Sequence, residues 1–589
     1  MQTTYNPTWD LDAIFPGGSD SKAFHTYIDN IKNEIEELSQ LVYDFNPKEP
    51  NISIVVQKIE GTMKKLSEAF AFVSCLSAQN IKDEKANLLV GKRNELKAEM
   101  GAVQTSFEQK LVLINDATWR ELLVQPEIKE LAFVLNEARE QAKELLTAEQ
   151  EILMNDLAVD GYHAWGQMYD TIVGNMNVEI ETDGEVKSYS VGQASNQLND
   201  PDRAVRKHVF EQLSQAWEGQ ADLFGQTLNH LAGFRLQKYK HRNWESPLKE
   251  PLEMNRMQKE TLDAMWTAII NNKQHFVNYL QKKAELLGLD KLSMYDIGAP
   301  LTKTVKKSTY TEGADFIVEQ FRSFSPKMAD FAEMAFEKRW IEAEDRAGKR
   351  PGGFCTSFPA SEQTRIFMTY SGTPSNIATL AHELGHAYHQ HVMNDVNGLN
   401  QRYAMNVAET ASTFAEMIVA DASVKNAQNK DEKVALLEDK IQRSIAFFMN
   451  IHARFLFETR FYEERKQGMV SVKRLNELMV EAQKEAYSDS ITDYDPNFWA
   501  SKLHFHKTGV PFYNFSYTFG YLFSLGIYAH AKEQGGSFEE DYIALLRDTG
   551  SMTVEDLAIK HLNVDLTKPD FWEHAIQLCV NDVEEFISL

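Results

Sequence analysis

Apolar residues recur at three- and four-residue spacing through most of this chain, with Glu and Lys between them. This spacing predicts long amphipathic helices over residues 20–45, 52–80, 82–114 and 136–160. Helical spacing resumes near Pro201 and runs to about residue 290, with breaks near Asn243 and Pro251. Two stretches change period. Ile172–Glu181 and Val186–Ser190 read as strands around Asp183-Gly184, a pair suited to the positive backbone angles of a type I′ hairpin turn. Thr364–Tyr370 reads as another extended run, approached through Arg350-Pro351-Gly352-Gly353 and closed by Ser371-Gly372. The pattern predicts a mainly α fold with little sheet. It places an N-terminal helical region over 1–195, with the hairpin near 172–190, before a second domain over 196–589.

That second domain holds the chemistry. Thr373-Pro374 offers a helix N-cap followed by proline at the first helical position. Ile377, Leu380, Ala381 and Leu384 continue as an apolar stripe, so the helix is expected to be buried. Within it stands His382-Glu383-Leu384-Gly385-His386. Four helical residues turn the chain by about 400°, so His382 and His386 share a face and can reach one Zn²⁺. Glu383 is placed to take a proton from water at that metal. The competing reading is a chance pentad on a solvated helix. The apolar flanks oppose it, because two histidines and a glutamate in a buried helix require partners.

A catalytic zinc needs a third protein ligand. Met405–Ala420 reads as helical, and its Glu409 and Glu416 lie about two turns apart on one face. Glu409 is assigned as the third ligand, and Glu416 as the group that fixes an imidazole by hydrogen bond. His389 is assigned to packing or support, and His391 to solvent. The open edge of the Thr364–Tyr370 strand could pair with an extended peptide, the alternative being an ordinary sheet packed on the helix.

Lys and Arg number 61 against 86 Asp and Glu, a net charge of −25, which disfavours nucleic acid and anionic membrane as partners. No apolar run reaches the length of a membrane span. Met1–Pro7 lacks the pattern of a secretory signal, and Cys75, Cys355 and Cys579 suggest no disulfide framework. A cytoplasmic location is expected.

Residues 504–521 are dense in His, Tyr and Gly. Neutral donors of this kind stabilise the oxyanion formed in peptide hydrolysis, and a glycine-flanked loop can close over substrate. An aromatic helix start packed in a core is the plainer alternative.

Several of these segments together resemble the M3 family of zinc metallopeptidases, most nearly its oligoendopeptidase F branch. They are Trp9-Asp10-Leu11 with Ile14-Phe15, Lys349–Phe354, Phe367–Tyr370, Thr379–His389, the pair Glu409 and Glu416, and His506–Tyr521. The resemblance spans nearly the whole chain. It implies a two-lobed helical ellipsoid with a small β-sheet beside the zinc helix. A deep channel between the lobes would admit short unstructured peptides and exclude folded proteins. It also implies that the closing segment gives a His and one or more Tyr to the oxyanion. Spacing from Pro511-Phe512-Tyr513 favours His506 over His504, and Tyr521 and Tyr517 are preferred over Tyr513.

The expected activity is that of a zinc endopeptidase acting on internal bonds of oligopeptides. Zinc would be held by His382, His386 and Glu409, with Glu383 as general base and His506 with Tyr521 or Tyr517 at the oxyanion. A zinc carboxypeptidase on a similar scaffold is the runner-up. A peptide-binding protein without catalysis is a third reading, opposed by the intact Glu383.

Overall fold

The structure, a computed structural model, describes residues 4–182, 184–302, 307–535 and 538–589. Helices dominate it, with one two-stranded and one three-stranded sheet among the described residues. It divides into two compact units, both discontinuous in sequence. One comprises Met1–Leu145, Lys306–Ser423 and His530–Asn563; the other comprises Leu146–Val305, Val424–Ala529 and Val564–Leu589.

The first unit opens with α1 (Lys22–Asp44), α2 (Ile52–Gln79) and α3 (Glu84–Val112), close to the ranges the spacing predicts. Ser21 starts α1 by accepting from Phe24 N at 3.2 Å, and Asp83 starts α3 by accepting from Ala86 N at 3.0 Å. Phe24, Ile28, Ile31, Ile35, Leu38 and Val42 form the buried stripe of α1. Their core continues into Phe358 and Phe367 of the sheet. The helix expected over 136–160 is divided into Ala132–Lys143 and Ala148–Ala158. The reason is a reciprocal cap at Thr147 and Gln150, which restarts the helix where apolar spacing alone runs on.

The sheet of this unit places β3 (Ile341–Glu342) parallel to β5 (Gln363–Phe367), and β4 (Phe354–Phe358) antiparallel on the other side of β5. The N-terminal segment ties it together. Arg365, fully buried, donates to Asp10 O at 2.9 and 3.2 Å, and Trp9 packs its ring 5.7 Å from that of Phe367. β4 pairs with all of β5 on one side and β3 with Ile366 and Phe367 on the other, which leaves little of β5 for a peptide. The open edge suggested for Thr364–Tyr370 belongs instead to β4, half-buried from Phe354 to Ser357.

The second unit carries the predicted hairpin as β1 (Asn177–Thr182) and β2 (Glu185–Ser190), with Thr182 opposite Glu185. Gly184 has φ +81°, and Asp183 lies outside the described residues. Ile172 belongs to the preceding helix, Ala164–Asn175, rather than to the strand. Asn243, at a predicted break, takes a left-handed φ of 58° after the helix Ala221–His241. Two π-helical turns, Val159–His163 and Ala446–Asn450, interrupt the helices of this unit. Such turns widen a helix by one residue and recur at functional sites.

Candidate metal centre and polar-aromatic cluster

The pentad lies on the helix Pro374–Val392, started by Thr373, whose Oγ1 accepts from Asn376 N at 3.2 Å. Leu380, Ala381, Leu384 and Ala387 are fully buried and fix the roll of this helix. His382 and His386 are left on one face, with ring centroids 4.9 Å apart. Gly385, between them in sequence, meets the next helix, Thr410–Lys425. A Cβ there would stand 2.4 Å from Ala411 O and 2.6 Å from Ser412 Cα, so only glycine permits this approach. The close approach brings Glu409, at the head of that helix, up to the two histidines.

His382 Nε2 lies 3.3 Å and His386 Nε2 3.6 Å from Glu409 Oε2. One ligand atom from each of the three residues falls within 4.8 Å of the others. On the far side of its ring, His382 Nδ1 meets Glu416 Oε2 at 3.1 Å. Ser412 Oγ donates to Glu409 Oε2 at 2.7 Å.

Electrostatics follow from this packing. Burial opposes charge on His382, but hydrogen bonds to Glu409 and Glu416 carry its pKa up to about 10. Burial also works against the Glu409 carboxylate, and the two imidazoles overcome it, holding the pKa down to about 2. Burial pushes His386 down to about 4, the neutral state a metal ligand requires. Two nitrogens and a carboxylate oxygen around a centre that favours positive charge fit a metal ion of borderline softness. Glu383, 7% exposed, turns elsewhere. Burial lifts its pKa to about 7, with His382 opposing, and its Oε2 has no hydrogen-bond partner among the described residues. Its Oε1 sits 3.4 Å from the place a Gly353 Cβ would take, just before β4.

Residues 196–578 match the model of peptidase family M3, and residues 110–177 that of oligopeptidase F. The chain belongs to peptidase family M3. This M3 peptidase is 24% identical over 614 residues to the oligoendopeptidase F homolog of Lactococcus lactis subsp. lactis, covering 100% of this chain and 98% of the relative. It is 21% identical over 601 residues to the oligopeptidase PepF of Bacillus subtilis, covering 99% and 87%. Among solved structures, a putative peptidase from Chlamydophila abortus superposes with a TM-score of 0.85 at 17% identity, covering 99% of this chain and 98% of that one. Oligoendopeptidase-F from Enterococcus faecium gives 0.68 at 17% identity, covering 97% and 99%. The M3 peptidase is thus a metallopeptidase with the helical fold of these structures. Among the described residues, no helix is long and apolar enough to cross a membrane.

In the second unit, the M3 peptidase arranges its closing segment differently from the sequence expectation. His506 is fully buried, its ring stacked 4.1 Å from that of Tyr169, and burial drives its pKa down to about 3. Tyr521 is 4% exposed, stacked on Phe447, with its hydroxyl on Ser444 Oγ at 3.1 Å and Cys579 Sγ at 3.6 Å. Both side chains are buried in aromatic packing contacts. The structure instead groups His504, Tyr513 and Tyr517, all half-buried. Tyr517 donates to Tyr513 Oη at 3.2 Å, and the His504 ring lies 5.2 and 6.1 Å from theirs.

The difference in placement has a geometric cause. Leu503–His506 is a 3₁₀ turn, in which residues two apart point about 240° apart, so only one of the two histidines can face the tyrosines. Tyr521 is one turn deeper along the helix Phe515–Gln534, where the π-helical turn Ala446–Asn450 covers it. No local signal separates these tyrosines, because Tyr513, Tyr517 and Tyr521 are evenly spaced four residues apart.

Sequence reading also missed the residues that hold this segment. Tyr162 donates to Thr508 O at 2.8 Å, and His163 Nδ1 meets Thr508 Oγ1 at 2.8 Å. Adjacent helical residues normally diverge by about 100°, and the π-helical turn Val159–His163 lets both reach one threonine. Buried Arg235 donates to Lys507 O at 3.1 Å, and Phe512 N donates to Glu458 Oε1 at 3.2 Å.

Proposed function

We propose that this M3 peptidase is a zinc-dependent endopeptidase that hydrolyses internal bonds of short, unstructured oligopeptides. The observation that carries the reading is the convergence of His382, His386 and Glu409 ligand atoms beside a buried Glu383 carboxylate whose Oε2 has no hydrogen-bond partner among the described residues. The names of its relatives, oligoendopeptidase F among them, support the substrate class. His382, His386 and Glu409 would hold the ion, with Glu416 orienting His382. When bound, zinc supplies Lewis acidity toward a water and the scissile carbonyl.

The remaining steps belong to the chain's own groups. Glu383 accepts a proton from the attacking water and delivers it to the leaving amine, and a pKa near neutrality suits both transfers. The outer edge of β4 offers backbone groups to an extended peptide, and Gly353 keeps the approach to Glu383 open. Within the second unit, His504, Tyr513 and Tyr517 supply neutral donors of the kind that stabilise an oxyanion. The three free thiols, Cys75, Cys355 and Cys579, suit a reducing cytoplasm.

The test is hydrolysis of an internally quenched, end-blocked peptide of about ten residues, a length suited to an extended strand. Cleavage is expected to vanish on chelation and return with Zn²⁺. Cleavage that persists after the metal is removed would overturn the reading. So would failure of a zinc-loaded sample to cut blocked peptides while it trims free C-termini.

A further inference from the structure

Three cations stand around the His504, Tyr513 and Tyr517 cluster without an acidic partner. Arg454 is fixed by its neutral neighbours: Nε donates to Asn450 Oδ1 at 2.9 Å and Nη1 to Asn514 Oδ1 at 3.0 Å. Its guanidinium lies 5.3 Å from the centre of the Phe498 ring, and Lys502 Nζ lies 4.6 Å from the same ring. Lys507 Nζ sits 4.0 Å over the Tyr513 ring. None of the three has a carboxylate at ion-pair distance among the described residues. Asp495 is the acidic group whose field reaches Lys502, and it spends its Oδ1 on the backbone N–H of Asn497 at 2.9 Å.

This grouping is unfavourable in the free protein. Burial, then the repulsion of Arg454, brings the Lys502 pKa down to about 8, and burial brings that of Arg454 down to about 10. His504 falls to about 4, through burial first and then the fields of Arg454, Lys507 and Lys502, so all three cations act on one imidazole. The whole chain carries a net charge of −25, so carboxylates that could have paired with them are not scarce. Uncompensated like charges on a half-buried site are the signature of a place prepared for an anion. The aromatic faces of Phe498 and Tyr513 hold the cations by their π-systems, which leaves the N–H groups of Lys502 and Lys507 for a ligand.

We propose that Arg454, Lys502 and Lys507 form a subsite that takes a carboxylate of the bound peptide, and so bias this peptidase toward anionic oligopeptides. The proposal rests on the reading of the His504, Tyr513 and Tyr517 cluster as facing substrate. The carboxylate has two possible sources, the peptide's C-terminus and an Asp or Glu side chain, which share this chemistry.

The test reads binding, independently of turnover. Full-length, zinc-loaded protein carrying Glu383→Gln is titrated into a fluorescently labelled pentapeptide, with anisotropy as the signal. Three versions of the peptide are used: one with a free C-terminus and no acidic side chain, one amidated at the C-terminus, and one amidated with an internal Glu. An anionic version should bind about tenfold more tightly than the neutral one, the worth of a hydrogen bond to a charged group. The preference should shrink as salt is raised. Preference for the free terminus alone identifies a terminal carboxylate, and preference for the internal Glu identifies a side chain.

Arg454→Gln or Lys502→Met should erase the preference while leaving the affinity for the neutral peptide within about twofold. Lys507→Met covers the case in which Arg454→Gln does not fold. Equal affinity for all three peptides, or a preference that survives these substitutions, would overturn the proposal. A cation-dependent preference in a protein whose wild type cuts no peptide would uphold the subsite and remove the endopeptidase reading.

Discussion

Nδ1 of His382 lies 3.1 Å from Oε2 of Glu416, on the opposite side of the ring from the nitrogen that faces Glu409. That contact fixes the tautomer, leaving Nε2 as the lone-pair donor toward the metal. Removing it by Glu416→Ala is expected to weaken zinc binding by about 10- to 100-fold, the usual cost of losing such a partner. Competition with a chromophoric chelator measures it, and unchanged affinity would refute the orienting role.

Glu383→Gln keeps the shape of the side chain and removes its ability to accept a proton. Turnover should fall by a factor of about 10²–10⁴ or more, with zinc content unchanged, because Glu383 lies outside the ligand set. Metal analysis and kcat on the same sample decide it.

Gly385→Ala should disrupt the centre without touching a ligand. Its methyl would meet Ala411 O at 2.4 Å and Ser412 Cα at 2.6 Å, both rigid backbone atoms. The two helices must separate, which costs about 1–3 kcal/mol and draws Glu409 away from the histidines. A lowered melting temperature together with reduced zinc affinity is expected. Full metal occupancy in this variant would contradict the packing argument.

The tyrosines should divide sharply. Tyr517→Phe removes a hydroxyl of the half-buried cluster and should lower kcat by about a hundredfold if that hydroxyl serves the oxyanion. Tyr521→Phe loses a buried hydrogen bond to Ser444 and should cost about 1 kcal/mol of stability with kcat within about twofold. Parallel kinetics and urea denaturation of both variants check the division.

Acid stability should report His452. Burial, followed by the fields of Lys273 and Arg460, pushes its pKa down to about 3, and its Nδ1 accepts from Lys273 Nζ at 3.0 Å. The folded state therefore leaves this imidazole neutral, whereas the unfolded chain protonates it near 6.5. Stability is intact above about pH 6.5 and falls as pH drops from there toward 3, by up to one proton's slope of about 1.4 kcal/mol per pH unit. His452→Gln should flatten this slope in urea midpoints measured between pH 7 and 5. An unchanged slope would mean that other groups account for the acid sensitivity.

The sequence by itself determined the helices α1 to α3, the hairpin, the pentad helix with its cap and buried stripe, and the spacing that lets His382, His386, Glu409 and Glu416 meet. These features depend on period, caps and turns, which act over a few residues and so leave a local imprint. Tertiary structure decided which strand keeps an open edge, because the flanking of β5 by β3 and β4 joins segments distant in sequence. It also decided which histidine and tyrosines are available. His504 and His506 are equivalent in composition, and only the packing of Tyr169 against one of them separates the two. The braces on Thr508 from Tyr162 and His163, and the three cations around His504 that have no carboxylate partner among the described residues, arise the same way. Each depends on side chains hundreds or tens of residues apart, and no local pattern records such a meeting.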